Sequence, residues 1–353
     1  TAFDLTDLYN VGTTLQEQAW MFWALVLASG ITAMLFPLHL WFPATQIEAL
    51  PGARILVGIL LRNLGIYVLI RLCLQVFALS AIRFSNLLAL LGTAGLLYGA
   101  LATLAPKKLS TVLAYWNVAQ MGWVTTGIFA MHTLSLHGAI LYIISCSLVT
   151  ASMLLLERER DLVPRQPSVK WGGQLALAIA ALAAIGIPGL VGFVGQSTLL
   201  LGFFQSHWQN GIASVSDQAW SIAIAIGLLI AAWGLFRAWR RTVATNEPQQ
   251  ILLIVPLLIL IVLLGLYPTL VTDIIGPSVH RLITQIRLGA GIPETESEPS
   301  PPELEKDQFF PIPDQPDGAW LPHRQHPRSK IQVAQEKCVP LALAVERALV
   351  RGI

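Results

Sequence analysis

Charge is scarce in this sequence. Only 12% of its 353 residues are Asp, Glu, Lys or Arg, against about 25% in an ordinary soluble domain. Acidic residues are scarcer still, with none between Glu48 and Glu157 and none between Asp161 and Asp217. Cysteine is nearly absent. Cys73, Cys146 and Cys338 lie far apart, with no CxxC pair and no Cys/His ligand spacing, which argues against an iron–sulfur or zinc site within the chain. There is no Gly-rich phosphate loop, no dinucleotide fingerprint and no locally supported nucleophile triad. No catalytic redox site and no resident cofactor or metal is therefore expected. A formal net charge of +2 carries no signature of a nucleic-acid partner.

What is present is apolar. Hydrophobic residues make up 55% of the chain, in recurring runs long enough to cross a hydrocarbon core of roughly 30 Å. The expected fold class is an all-α membrane protein, a polytopic bundle of about eight spans. The runs are Ala19–Trp41, Ile55–Leu79, Asn86–Leu104, Leu109–Met131, Leu134–Leu156, Gly173–Phe204, Ala219–Trp239 and Ile251–Thr272. The sixth is too long for one straight crossing. Pro188-Gly189 in its middle predicts a broken helix, whose freed backbone groups need partners inside the protein.

Basic residues set an expected orientation. Numbering the inter-span segments alternately, one set holds Arg54, Lys107, Lys108, Arg158, Arg160, Arg165, Lys170, Arg237, Arg240 and Arg241, and the other holds only Arg83. The positive-inside rule places the first set on the cytoplasmic or stromal side and both termini on the other. Residues 1–18 form a polar segment, and 19–288 form the membrane domain. From 289 a Pro- and Glu-rich tail follows that lacks the apolar surface to order itself. Residues 340–350 could form one short helix there, a docking peptide or simply a disordered end.

The stretch from Phe36 to Arg71 is the most informative. Pro37 and Pro43 bracket His39 and Trp41, a polar turn carries Glu48, and Pro51-Gly52 opens a new apolar run containing Arg62 and Arg71. A guanidinium cannot become neutral in a protein. Arg62, flanked by Val57–Leu61 and Leu64–Ile70, must therefore face a polar interior and hold a fixed partner. With no carboxylate at that depth, the expected acceptors are a backbone carbonyl at a helix break, a water, or an acid from a neighbouring subunit. Gly92, Gly95 and Gly99 recur at helical spacing, which reads as close helix packing. His132 and His137 lie at or near a span end, and His323 and His326 lie in the tail. Trp20, Trp23, Trp41, Trp171 and Trp239 near span ends read as an aromatic belt.

Four stretches resemble one family. FPLHLWFP with Glu48-Ala49 and then ILVGILLRNLGIYVLIR is similar to the signature PLHxWLPDAxxEAP…LAGxLLKxGxYGLxR of the antiporter-like membrane subunits of complex I, most of all the M/D type. LAYWNVAQMGWVTTGI (113–128), LAAIGIPGLVGFVGQSTLLLGFFQ (182–205) and LLGLYPTLVTDIIGPSV (263–279) resemble further stretches of that family, in its order. The resemblance implies a membrane-arm subunit of a proton-pumping NAD(P)H or ferredoxin:quinone oxidoreductase, truncated by about five helices at its N-terminus. Partners would be other membrane-arm subunits. Nicotinamide or ferredoxin, iron–sulfur clusters and quinone would belong to partner subunits, and the location would be a bacterial plasma or thylakoid membrane.

That family moves protons along buried Lys, Glu and His. Carried over by position, these fall at Thr32, Arg62, Gln120, Cys146 and Gln196, with His39, Glu48, Lys107, Lys108 and Pro188 as supporting motif residues. A relay needs groups that take up and release protons at working pH. Thr, Gln and Arg do not, and Cys146 would need a thiolate-stabilising neighbour. The expectation is a scaffold that is kept while its own proton translocation is lost. Two other readings stay open: a subunit of a multi-subunit cation/proton antiporter, and a non-conducting structural or assembly subunit.

Overall fold

The computed structural model describes residues 15–106, 108–162, 170–208, 215–244 and 254–289, and these are all helix and short turn, with no strand. The polar segment before Leu15, Lys107, and the whole tail after Gly289 with its expected 340–350 helix lie outside the described residues. Helix α1 (Leu15–Thr32) leads through a turn to the short α2 (Trp41–Glu48). A long helix follows in four pieces: α3 (Pro51–Leu56), a π-helical turn at Val57–Leu61, α4 (Arg62–Val68), and a second π-helical turn at Leu69–Leu74. Then come α5 (Ala78–Ala102), α6 (Leu109–Phe129), α7 (Thr133–Leu162), α8 (Lys170–Ile185), α9 (Val191–Trp208), α10 (Val215–Ala244), α11 (Val255–Leu266) and α12 (Thr269–Gly289).

Four of these are long and apolar enough to cross a bilayer: Gly52–Leu74, Ala78–Ala102, Thr133–Leu156 and Trp220–Arg241. Val255–Leu266 and Thr269–Ile286 make a fifth if taken together, bent by 68° at their break. Leu175–Ile185 and Val191–Gln205 are shorter apolar helices, the two halves of the expected broken one. The break spans Gly186–Leu190 rather than Pro188-Gly189 alone. Gly186 adopts φ +86°, and the Ile187 amide donates to the Leu182 carbonyl at 3.1 Å. That is the Schellman closure of a helix by a left-handed residue, which glycine adopts without Cβ strain.

Several expected boundaries move. Helix α5, expected to begin at Asn86, begins at Ala78, and the helix before it ends at Leu74 rather than Leu79. Two further shifts have a visible cause. The first run was expected to continue to Trp41, but α1 stops at Thr32. Met34 takes φ 62°, and the Leu35 amide turns back onto the Gly30 carbonyl at 2.9 Å. Trp41 Nε1 then donates to the Ile31 carbonyl at 3.1 Å, so the carbonyls stranded by the early stop find partners. The last run was expected to end at Thr272. Instead α11 ends before Tyr267-Pro268, and α12 carries on to Gly289 with Val279, Leu282, Ile283 and Ile286 buried. That i, i+3, i+4, i+7 stripe packs α12 against the bundle.

Helix α6 is the centre, buried at nearly every residue from Leu109 to Phe129. It crosses α5 backbone to backbone. A Cβ added at Gly99 would lie 2.5 Å from the Ala119 amide nitrogen, and one at Gly122 would lie 2.4 Å from that of Leu96. The close packing expected of the glycine series is what brings α6 near enough to share polar contacts with its neighbours.

Gly122→Leu should therefore force α5 and α6 apart and cost at least the roughly 1–3 kcal/mol typical of overpacking. Gly52→Ala meets nothing within 4 Å and should be neutral or stabilising. Thermal melts of the two variants in mild detergent check the contrast; similar losses from both would contradict the crossing.

Candidate functional site

Arg62 is 0% exposed. It lies at the start of α4, where the first π-helical turn ends; single π-helical turns inside α-helices frequently occur at functional sites. Its Nη1 donates to Asn117 Oδ1 on α6, its Nη2 to Ser147 Oγ on α7 at 3.0 Å, and its Nε to Asn63 Oδ1 at 3.4 Å. The acceptors are themselves fixed. Asn117 Nδ2 donates to the Leu113 carbonyl at 2.9 Å, while Thr150 Oγ1 donates to Asn117 Oδ1 at 3.0 Å. Ser147 Oγ accepts from Asn63 Nδ2 at 2.9 Å and donates to the Ile143 carbonyl at 2.8 Å. The expected partners were a freed carbonyl, a water or a neighbour's acid. The observed ones are side-chain amide and hydroxyl oxygens of the same chain, because α6 and α7 bring polar side chains to Arg62's depth. All three of these acceptors are neutral.

The cluster continues past Arg62. Cys146 is buried beside it and lies next to the Tyr142 hydroxyl, one turn earlier on α7. That hydroxyl donates to Gln120 Oε1 on α6 at 2.5 Å. Three of the five positions carried over from the resemblance, Arg62, Gln120 and Cys146, thus share one buried polar track. Asn63, Asn117, Tyr142, Ser147 and Thr150 belong to it as well, and the sequence reading missed them. Their signal was available: Asn117 and Gln120 are three apart on α6, and Tyr142, Cys146 and Thr150 recur every four residues on α7, a polar stripe at helical spacing.

The other two positions stand apart. Thr32 Oγ1 donates back to the carbonyls of Ser29 at 3.0 Å and Ala28 at 3.3 Å and packs against Gly65, outside the Arg62 network. Gln196 lies on α9 with its Oε1 against Gly186, where an added Cβ would sit 2.4 Å away, so it braces the helix break. Of the supporting residues, Glu48 and Lys108 are exposed, Pro188 is exposed within the break, and Lys107 lies outside the described residues. His39 is 1% exposed with no hydrogen-bond partner for either ring nitrogen. It packs 4.7 Å from the Tyr98 ring and 5.7 Å from Phe36.

A fixed charge held by neutral acceptors makes those acceptors matter. Asn117→Leu should cost roughly 1.5–3 kcal/mol, the worth of a hydrogen bond to a charged group, and should cost much less in an Arg62→Leu background. A double-mutant cycle on detergent-solubilised protein measures the coupling; additive losses would show that the two side chains do not support each other.

A family model described as NADH:quinone oxidoreductase/Mrp antiporter, TM, matches residues 1–221. NAD(P)H-quinone oxidoreductase chain 4 1 of Synechococcus elongatus is 31% identical over 308 residues, which is 81% of this chain and 57% of that protein. NADH-quinone oxidoreductase subunit M of Mycobacterium tuberculosis is 28% identical over 284 residues, 75% of this chain and 50% of that one. The chain thus spans about half the length of these curated relatives. Among solved structures, respiratory complex I from Thermus thermophilus with bound NADH contains a chain that superposes with a TM-score of 0.69 at 22% identity, over 80% of this chain and 62% of that one. A chain of the Mrp complex from Dietzia sp. DQ12-45-1b gives 0.61 at 16% identity, over 79% and 63%. At these identities the likeness concerns the fold, and it agrees with the antiporter-like helical bundle expected from sequence. With its long apolar helices and the family match covering well over half its length, the chain is an integral membrane protein and belongs to the NADH:quinone oxidoreductase/Mrp antiporter membrane family.

Proposed function

We propose that this chain serves as an antiporter-like membrane-arm subunit of a proton-pumping NAD(P)H or ferredoxin:quinone oxidoreductase, and that it does not itself translocate protons. The observation that carries the second half is the composition of the buried track. Arg62 keeps its charge at any working pH, and Asn63, Asn117, Gln120, Ser147 and Thr150 neither take up nor release protons there. The ionisable members that remain are the Tyr142 phenol, committed to Gln120, and the buried Cys146 thiol, groups that ordinarily hold their protons at neutral pH. Thr32 and Gln196, at the two remaining positions, are neutral as well, and Glu48 is exposed. The role left to the chain is to hold a helical scaffold and transmit contacts between neighbouring membrane subunits, with redox cofactors and quinone carried by those partners.

The relatives' printed names support the oxidoreductase reading. A subunit of a cation/proton antiporter complex is the second reading, favoured by the fold likeness to the Mrp complex; the lost carboxylates weigh against ion transport there too. Proteins that co-purify in mild detergent separate the two.

Proton uptake by proteoliposomes containing the intact complex tests the transport claim. Gln196→Leu and Thr32→Val should leave pumping unchanged within experimental scatter. Abolished pumping in a complex that still assembles would show that this chain carries protons.

The bias of basic residues supports a bacterial plasma-membrane or thylakoid orientation with both termini on the non-cytoplasmic side. Cysteines introduced at Ala105 and Ala130, in the turns at the two ends of α6, should label from the cytoplasmic and the non-cytoplasmic side respectively, in a background without native cysteines. Labelling of both from one side would refute it.

A further inference from the structure

Away from the Arg62 track, α1, α5, α6 and the turn after α1 enclose a cavity of about 120 Å³. Trp23, Leu27 and Gly30 of α1, Leu88 and Leu91 of α5, and Phe36 of the turn form most of its wall. Thr125 contributes the one hydroxyl, and that hydroxyl is already spent on the Met121 carbonyl at 2.7 Å. Apolar cavities of about this size stay dry and accept hydrocarbon. Leu27 is 50% exposed, which marks a mouth on the outer, apolar face of a protein that lives in a bilayer.

A cation lies toward the N-terminal end of α5, one of the helices that wall the cavity. Arg83 lies on the same helix as Leu88 and Leu91, about 8 and 12 Å from them along the axis at 1.5 Å per residue. It is exposed and has no carboxylate partner among the described residues. Its guanidinium carbon is 6.0 Å from the Phe84 ring centroid, and Phe84 packs at 5.2 Å on Trp23, itself a wall of the cavity. The order along α5 is therefore a cation with no carboxylate partner among the described residues, an aromatic pair and the apolar cavity. A phospholipid has the matching order of phosphate, interfacial region and hydrocarbon chain.

We infer that this is a binding site for one anionic phospholipid, with its phosphate on Arg83 and the terminal carbons of one acyl chain in the cavity. The chain end reaches the turn that joins α1 to α2, where Phe36 packs on His39. An occupied cavity stiffens that turn, and an empty one leaves it without support on one side. The inference rests on the membrane assignment alone and stands whether or not the chain conducts protons.

The test uses the complex containing the full chain, reconstituted in phosphatidylcholine nanodiscs doped with phosphatidylglycerol that carries a photoactivatable diazirine in mid-chain. Cross-links read by mass spectrometry should concentrate on residues 23–38 and 88–92. The equivalent phosphatidylcholine probe should label that region about fivefold less, the advantage of one interfacial cation. Arg83→Gln should remove that preference while leaving the melting temperature unchanged. Leu91→Trp, or Leu27→Phe if the first does not fold, should fill the mouth and abolish labelling there. Three results would overturn the proposal: equal labelling by both probes, labelling spread evenly to exposed apolar residues such as Leu229 and Trp233 on α10, or a preference that survives Arg83→Gln. Cross-links from the region to another polypeptide in place of lipid would also overturn it.

Discussion

A positive charge that cannot be discharged, placed in the middle of an apolar bundle, is the constraint on which the rest of this structure depends. Left without acceptors, a buried charge costs several kcal/mol. Arg62 is 0% exposed, so oxygen must come to it from other helices. Asn117 and Ser147 supply it from α6 and α7, and each is anchored to its own helix by a further bond. This requires α6 at the centre of the bundle with polar groups on faces that would otherwise be aliphatic. The same central helix crosses α5 closely at Gly99 and Gly122. The π-helical turns on either side of α4 loosen the helix that carries the charge. Arg62 and Asn63, adjacent in sequence, both reach Ser147.

Where the helices stop, the same accounting of polar groups applies to the backbone. In a bilayer an unpaired carbonyl has no water to turn to. Helix α1 closes on itself through Met34 and Leu35 and gives its Ile31 carbonyl to Trp41. Helix α8 closes through Gly186, and Gln196 packs against that glycine. At the end of α2, Arg54 donates to the carbonyls of Ala49 at 2.8 Å and Ile47 at 3.4 Å, a cation at a helix C-terminus, where the dipole favours it. The interruptions after α1, α2 and α8 are thus each sealed by a specific side chain or left-handed residue.

Much of this was legible in the sequence, and what was missed follows a pattern. Long apolar runs, the Pro-Gly break and the glycine series report local constraints, so the helices, the broken span and the α5–α6 contact could be read directly. The end of α1 could not, because the left-handed turn falls at Met34, a residue with no preference for it; Phe36-Pro37 lies beyond the true stop. Helix α12 was passed over because Asp273, Pro277 and Arg281 dilute its hydrophobicity, although its buried stripe was there to count. Arg62 was recognisable as a buried cation from its surroundings. Its partners were not, since Asn117 and Ser147 are 55 and 85 residues away and only packing brings them together.

The difference between arginine and lysine at this position then bears directly on the proposed role. A lysine at Arg62's depth can shed its proton when another positive charge approaches. A guanidinium cannot. At an effective dielectric constant near 20 and a separation of roughly 7 Å, an excess proton would meet about 2 kcal/mol of repulsion that has no means of relaxing. Asn117, Ser147 and Thr150 offer no storage site either: each has a donor committed to a fixed acceptor, so rotating one to pass a proton disturbs the network that holds Arg62. The network that makes the arginine tolerable is thus the same network that makes the track rigid. On the proposed reading, a position where a relay would need a group that changes charge has been converted into a strut, and the bundle keeps its shape because that charge never changes.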